Sequence, residues 1–412
     1  MSISIHSILD TQRFDAMLGA CLAPLVLWSS AATAQTVEYT VIDLPMVPDA
    51  YSTIPLAMND EGVVVGWAQY WSGDFFLRGW QWSPDDGLTL LPPPPGAMSD
   101  RYAATDVNNM GVIAGDGGGD SGHAWRYENG EYTVVDLLDG LDASRGAALN
   151  LAGDLVATAF DSQHFTTPTQ ALLFTGDGDT LELFPQFGGS RAADINDAGQ
   201  IAASTTAGPV RVEADGSLTF LPVPGGFVGF SPARINAAGD VAGIAGCSHE
   251  CNQAFLWSEA SGLHAIPPVG TRQVVRGINN DQEVVGDVVE GVSYAWIWSP
   301  DEGLRHLASL IDPELTRNVV YAMDINNAGQ IITLAYDYSD PLEPWRVMLM
   351  TPIDTSIPGD LDHDGVVGVA DLLALLATWG ACPPPPADCP ADLNDDGVVD
   401  VLDLLTLLSN WS

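Results

Sequence analysis

The chain has 412 residues, 46% of them apolar, and its 54 acidic against 13 basic residues leave a formal charge of −41. All 13 basic residues are Arg; the chain contains no Lys. A surface this acidic repels phosphate backbones, so nucleic acid and anionic membranes are excluded as partners, while the apolar share suffices for a real core.

Residues 1–34 read as an export signal, with an apolar stretch from Met17 to Trp28 and the small residues Ala32-Thr33-Ala34 before Gln35. That stretch is too short to span a bilayer. Leu18-Gly19-Ala20-Cys21 has the look of a lipoprotein box, but the apolar run follows Cys21 where it would have to precede it. Cleavage near Ala34 leaves four cysteines in two close pairs, Cys247 with Cys251 and Cys382 with Cys389, suited to an oxidising, extracytoplasmic setting. The expected location is therefore secreted, extracellular or at the cell surface.

From residue 35 to 353 one phrase recurs: an apolar segment ends in Asn, usually with Gly three positions later. The copies lie at Asn59, Asn108, Asn150, Asn196, Asn236, Asn279 and Asn326, with gaps of 49, 42, 46, 40, 43 and 47. That period falls in the range of propeller blades. Asn and Gly at the first and fourth places of a tight turn signal a hairpin, and a second apolar run follows each, such as Val63-Val64-Val65 or Val284-Val285. The sixth copy has Gln282 in place of Gly, so a looser turn is expected there. A third segment, such as Ala254-Phe255-Leu256-Trp257, alternates as a half-buried strand requires, and a fourth follows a Gly-containing turn. Four antiparallel strands per repeat make a propeller blade.

The seventh repeat lacks a fourth strand before residues 354–359, which read as a linker. The missing piece stands at the start of the repeat region: residues 38–44, EYTVIDL, nearly duplicate residues 131–137, EYTVVDL, the fourth strand of the second repeat. The predicted fold is an all-β seven-bladed propeller closed by pairing Glu38–Leu44 with the strand around Arg346–Met350, which leaves no sheet edge unpaired at the seam.

The third strands, especially His123-Ala124-Trp125 and Gln253-Ala254-Phe255-Leu256-Trp257, together with the Asn-x-x-Gly turns, resemble the extracellular HAF repeat family over most of residues 36–353. The resemblance implies a secreted or surface protein and carries no established catalytic set. Only His123 keeps the histidine of the family name.

Cys247-Ser248-His249-Glu250-Cys251 offers thiolate and imidazole together, yet as a single cluster in an exported chain it reads as a disulfide closing a blade loop rather than a metal site. Arg101, Arg145, Arg191, Arg276 and Arg317 precede their repeat's Asn by 7, 5, 5, 3 and 9 residues, whereas Arg234 breaks that odd parity. A guanidinium ring on this rim would hold an anionic glycan or a carboxylate-bearing peptide; the plainer role is pairing with acids of neighbouring blades. Tyr70, Trp71, Phe75, Phe76, Tyr102 and Phe230 fall on the same predicted rim, where they would stack on sugars or cover blade edges.

After Pro358-Gly359 a 32-residue duplication begins. Asp360, Asp362, Asp364, Gly365 and Asp371 fall at places 1, 3, 5, 6 and 12 of a calcium loop, and Asp392, Asn394, Asp396, Gly397 and Asp403 repeat them. Alternate oxygens would converge on one hard cation in each loop, so two Ca²⁺ sites are expected. Val366 and Val398 would add backbone carbonyls, and Asp400 binds directly or through water where Gly368 has no side chain. The segments to Trp379 and to Trp411 have helical apolar spacing and should pack together. Cys382 and Cys389 flank the connector and are expected to bridge.

Tandem loop-helix units of this kind resemble a type I dockerin, built from two F-hand loops. For residues 360–412 the resemblance implies a small α-helical, metal-dependent fold that docks onto a cohesin-like or other cell-surface protein. Val369-Ala370 and Val401-Leu402 stand where that family often has Ser-Thr-like contact residues, and both helices lack Lys and Arg. Taken together, the chain reads as a secreted, non-catalytic recognition or scaffolding propeller with a calcium-dependent docking module. The alternative is a carbohydrate-active propeller, a glycoside hydrolase or polysaccharide lyase, whose paired carboxylates are defined in space rather than sequence.

Overall fold

The computed structural model describes residues 37–411 except 72–74, 96–100, 118–121, 136, 138–140, 164–167, 247–251, 271, 290–292, 316, 338–344, 354–356, 363–365, 383–388 and 395. The proposed export signal and the Cys247–Cys251 pair therefore lie outside the described residues.

Seven four-stranded antiparallel sheets follow one another along the chain, one per Asn repeat. Blade 1 runs from Ser52 to Leu90, blade 2 from Tyr102 to Val134, blade 3 from Ala143 to Glu182 and blade 4 from Ser190 to Phe220. Blade 5 runs from Gly229 to Ala265 and blade 6 from Gln273 to His306. Blade 7 takes three strands from Arg317 to Pro352 and its outermost strand, Tyr39–Asp43, from the start of the described chain. Val41 pairs with Met350 and Asp43 with Met348. The Leu44 N–H extends the ladder to the Val347 carbonyl at 2.9 Å, and Arg317 clasps the Asp43 carboxylate with both terminal nitrogens. The predicted closure of the ring by its leading strand is what the structure shows.

Seven apolar clusters bind the ring, and each is shared by two adjacent blades. Val156 and Ala171 of blade 3, for example, pack with Ile195 and Val210 of blade 4, and Val285 and Ile297 of blade 6 with Ile331 and Met350 of blade 7. A blade's buried face is thus completed by its neighbour, which is why the sequence repeats. Packing is tight enough to demand glycine. A Cβ on Gly286 would lie 2.0 Å from the Val274 carbonyl and 2.5 Å from the Trp296 ring.

In all seven repeats the Asn Oδ1 accepts the amide of the residue four positions on, at 2.8–3.0 Å, locking the first hairpin. Six turns place Gly in the left-handed region; Gln282 takes the same conformation, φ 61°. Its amide reaches the Asn279 carbonyl at 3.3 Å, against 2.9–3.1 Å elsewhere, the expected loosening. Instead of glycine's freedom, Gln282 offers a side chain that donates to Asp240 of blade 5 at 2.7 Å.

Beyond the ring lie helix α1 (Val369–Ala377) and helix α2 (Val401–Ser409), each with an Asp at its third residue. Asp371 and Asp403 each accept the amide at the helix start, from Gly368 and Asp400, at 2.7 and 2.8 Å. Leu375 and Leu407 meet with Val367, Ala391 and Val399 in one buried cluster, and Cys382 and Cys389 form a disulfide. Among the described residues no helix is long and apolar enough to cross a membrane.

Candidate functional site

Every blade's innermost strand carries a register shift just before its Asn, and the residue two places before the Asn follows that shift: Ala57, Asp106, Ala148, Asp194, Arg234, Gly277 and Asp324. A bulge re-aims the chain locally, and all but Gly277 of these residues line a cavity of about 210 Å³ at the end of the ring that bears the Asn turns. Asp106, Asp194 and Asp324 each accept two backbone amides. One comes from the next residue, at 2.9 Å in all three. The other comes from the next blade: Leu149 at 2.8 Å, Ile235 at 2.8 Å and Met58 at 3.0 Å. They are staples as much as cavity wall.

Protein surrounds these carboxylates on most sides, and burial is the largest influence on them. It pushes Asp194 and Asp324 up to about 7, against the opposing pull of the Arg234 guanidinium and the amide bonds. Asp106 is raised for the same reason. A raised hold on their protons lets three acids share a space with one guanidinium.

Around the cavity the repeated Asn residues form a belt. Nδ2 of Asn59, Asn108, Asn196, Asn236 and Asn326 donates to the Asn carbonyl of the next blade at 2.8–3.2 Å. A second belt one residue further on joins Asp60 to Asn109 and Asn327, and Leu151 to Asp197. Sequence alone points to the turn-forming half of the Asn's work; the blade-to-blade half needs the ring to exist.

The predicted arginine rim is distributed among local partners. Arg317 is held by Asp43, and Arg276 donates to the fully buried Asp287 at 2.8 Å. Arg145 lies 5.3 Å from the Phe160 ring, and Arg101 bridges to Leu77 through its backbone. Arg191 is exposed. Arg234, the parity breaker, is the one that lines the axial cavity. Of the aromatic residues, Tyr102 and Phe230 are buried, with the Tyr102 hydroxyl donating to the Leu91 carbonyl at 2.8 Å. Trp71 is exposed, Tyr70 and Phe76 are half-buried, and the Phe75 side chain lies outside the described set. Tyr321, Tyr336 and Trp345 join the same end of the ring, contributed by blade 7.

In the first C-terminal loop one carboxylate oxygen from each of Asp360, Asp362 and Asp371 lies within 4.8 Å of the others. Three hard oxygens at that spacing suit a single Ca²⁺. Burial would raise Asp371, but amides of Gly368, Asp362 and Leu361 overcome it and hold its carboxyl below the usual range. Asp364 lies outside the described residues and Val366 is exposed. In the second loop Asp392 accepts the amides of Asp396 and Gly397, and Asp403 that of Leu393 at 2.8 Å. The Asn394 and Asp396 side chains accept amides of Asp396 and Val398, and Val398 is exposed. Asp400 caps α2 by accepting the Leu402 amide at 2.8 Å. Asp392, Asp396 and Asp403 are not drawn into such a cluster among the described residues.

The ring defines the chain as a seven-bladed β-propeller, and comparison with solved structures agrees. A streptogramin B lyase structure superposes with a TM-score of 0.50 at 13% identity, covering 76% of this chain and 98% of that one. A prolyl endopeptidase structure gives a TM-score of 0.50 at 11% identity, covering 77% of this chain but 49% of that one. At such identities the likeness is one of fold. No protein-family model and no curated protein sequence matches the chain.

Proposed function

We propose that the chain is an exported, non-catalytic recognition or scaffolding propeller of HAF-like repeats, carrying a calcium-dependent, dockerin-like docking module. The observation that carries this reading is the twin construction of the tail. Both loop-helix units fold an Asp back onto the amide at the helix start and share one core, while Val369, Leu373 and Leu376 on α1 and their counterparts Val401, Leu405 and Leu408 on α2 stay exposed. Two matching apolar faces on a small module suit a protein partner, of cohesin-like or other cell-surface type. The axial acids are occupied in holding blades together, which favours a structural role for them. Pull-down of partners from the surface fraction with and without Ca²⁺ tests the reading; capture that ignores Ca²⁺ contradicts it.

The enzymatic alternative is favoured by one arrangement: Asp194 and Asp324, near neutral pKa, facing a cavity with Arg234. A carboxyl protonated at neutral pH is what a glycosidase acid requires. Screening against polysaccharides, with Asp194→Asn and Asp324→Asn as controls, separates the two.

A further inference from the structure

We propose that the seam between blades 7 and 1 is a platform for a neutral glycan, whose pyranose faces stack on Tyr70 and Trp345. This deepens the recognition reading and rests on it.

The second and third strands of blade 1 have 8 and 9 residues and those of blade 7 have 7 and 8, whereas blades 2, 4 and 6 use 5 and 5. The two hairpins with the longest strands are neighbours. Towards the described ends of those strands away from the Asn turns, both carry aromatic residues. On blade 1 Tyr70 and Phe76 stack with centroids 5.1 Å apart and planes within 4°. On blade 7 Trp345 stacks on Tyr321 at 6.2 Å and meets Tyr336 edge-on at 5.4 Å. Tyr70, Tyr321 and Trp345 rest on one apolar cluster that joins the blades, so the two groups share a base.

These rings are partly exposed, whereas Trp80 and Trp82, nearer the Asn turns in the same blade 1 hairpin, are buried at 1% and 8%. Flat apolar faces with hydroxyls at their edges match sugars, which present C–H faces and a rim of hydroxyls. The charges select a neutral ligand. Arg78 sits 5.3 Å from both the Tyr70 and Phe76 centroids, Arg317 is held by Asp43, and a chain of charge −41 repels polyanions.

The test is calorimetric titration of the full chain with cellohexaose, xylohexaose and mannohexaose, using polygalacturonate and a proline-rich peptide as comparators. At least one neutral hexaose should bind, and Tyr70→Ala and Trp345→Ala should each weaken it by about tenfold. Trp345→Phe, which keeps a ring, should retain most of the affinity, and it separates lost stacking from a misfolded seam. The proposal is overturned by no binding of any hexaose, by affinity unchanged in the Tyr70→Ala, Trp345→Ala double variant, or by preference for either comparator. Cleavage of a bound hexaose would sink the non-catalytic reading and leave the platform standing. Absence of binding alongside Ca²⁺-dependent capture of a partner would sink the platform alone.

Discussion

The carboxylate of Asp324 accepts the amide of Met58 at 3.0 Å, across 266 residues of sequence. It joins the last blade to the first at the axis, while Tyr39–Asp43 does so at the outer edge. Asp324→Ala orphans this amide and that of Ile325. Because leaving a buried donor unsatisfied costs about 1–3 kcal/mol, a loss of at least that size is expected in urea unfolding of the ring. Asp324→Asn, which keeps one acceptor oxygen, should lose less; equal losses would show that the staple is not the cause.

Stability should rise as pH falls from 8 towards 5. Burial raises Asp194 and Asp324 from 3.8 to about 7, and Asp116 to about 6. The folded state therefore holds protons that the unfolded chain releases. Their contribution is complete below the unfolded value and is lost as pH rises through the folded one. Thermal midpoints across this range should fall with rising pH, and Asp194→Asn with Asp324→Asn should flatten the slope. An unchanged slope in the double variant would place the titration elsewhere.

Gly286→Ala should destabilise blade 6 by about 3 kcal/mol or more, since the new methyl meets the backbone carbonyl of Val274 rather than a side chain that can turn away. Gly303→Ala at an open turn meets nothing within 4 Å and bears only the cost of its φ of 73°. That cost is about 1 kcal/mol. Denaturation of the two variants should rank them in that order.

On the calcium proposal, chelation should remove helical circular dichroism from residues 369–409 and leave the β signal of the ring intact. Asp371→Ala and Asp403→Ala should each lower Ca²⁺ affinity, because each removes the final carboxylate of one loop. Helicity indifferent to both metal and chelator would refute the proposal.

The ring was legible because its signals are local or duplicated. Asn-x-x-Gly marks every first hairpin, and EYTVIDL matches a strand elsewhere in the chain. The axial staples were not, since their shared position holds Asp in three blades and Ala, Arg or Gly in the others. All seven stand two places before the repeated Asn, but only the common bulge re-aims them towards the axis. Tyr102 and Phe230 illustrate the opposite failure. Their place at the entry to a blade's first strand put them on the rim, but both turn inward, Tyr102 beside Gly79 of blade 1 and Phe230 into the cluster shared with Ala202 of blade 4. Tyr321 and Trp345 had no distinguishing neighbour in sequence and gain meaning only where blade 7 meets blade 1.

Amide hydrogen exchange in Trp345–Pro352 tests the closed ring most directly, measured in the full chain and in a chain lacking residues 38–44. The account predicts slow exchange in the full chain and a large acceleration on truncation, spreading into Ile331–Asp337. Protection unchanged by the truncation would mean that the leading strand does not close the ring.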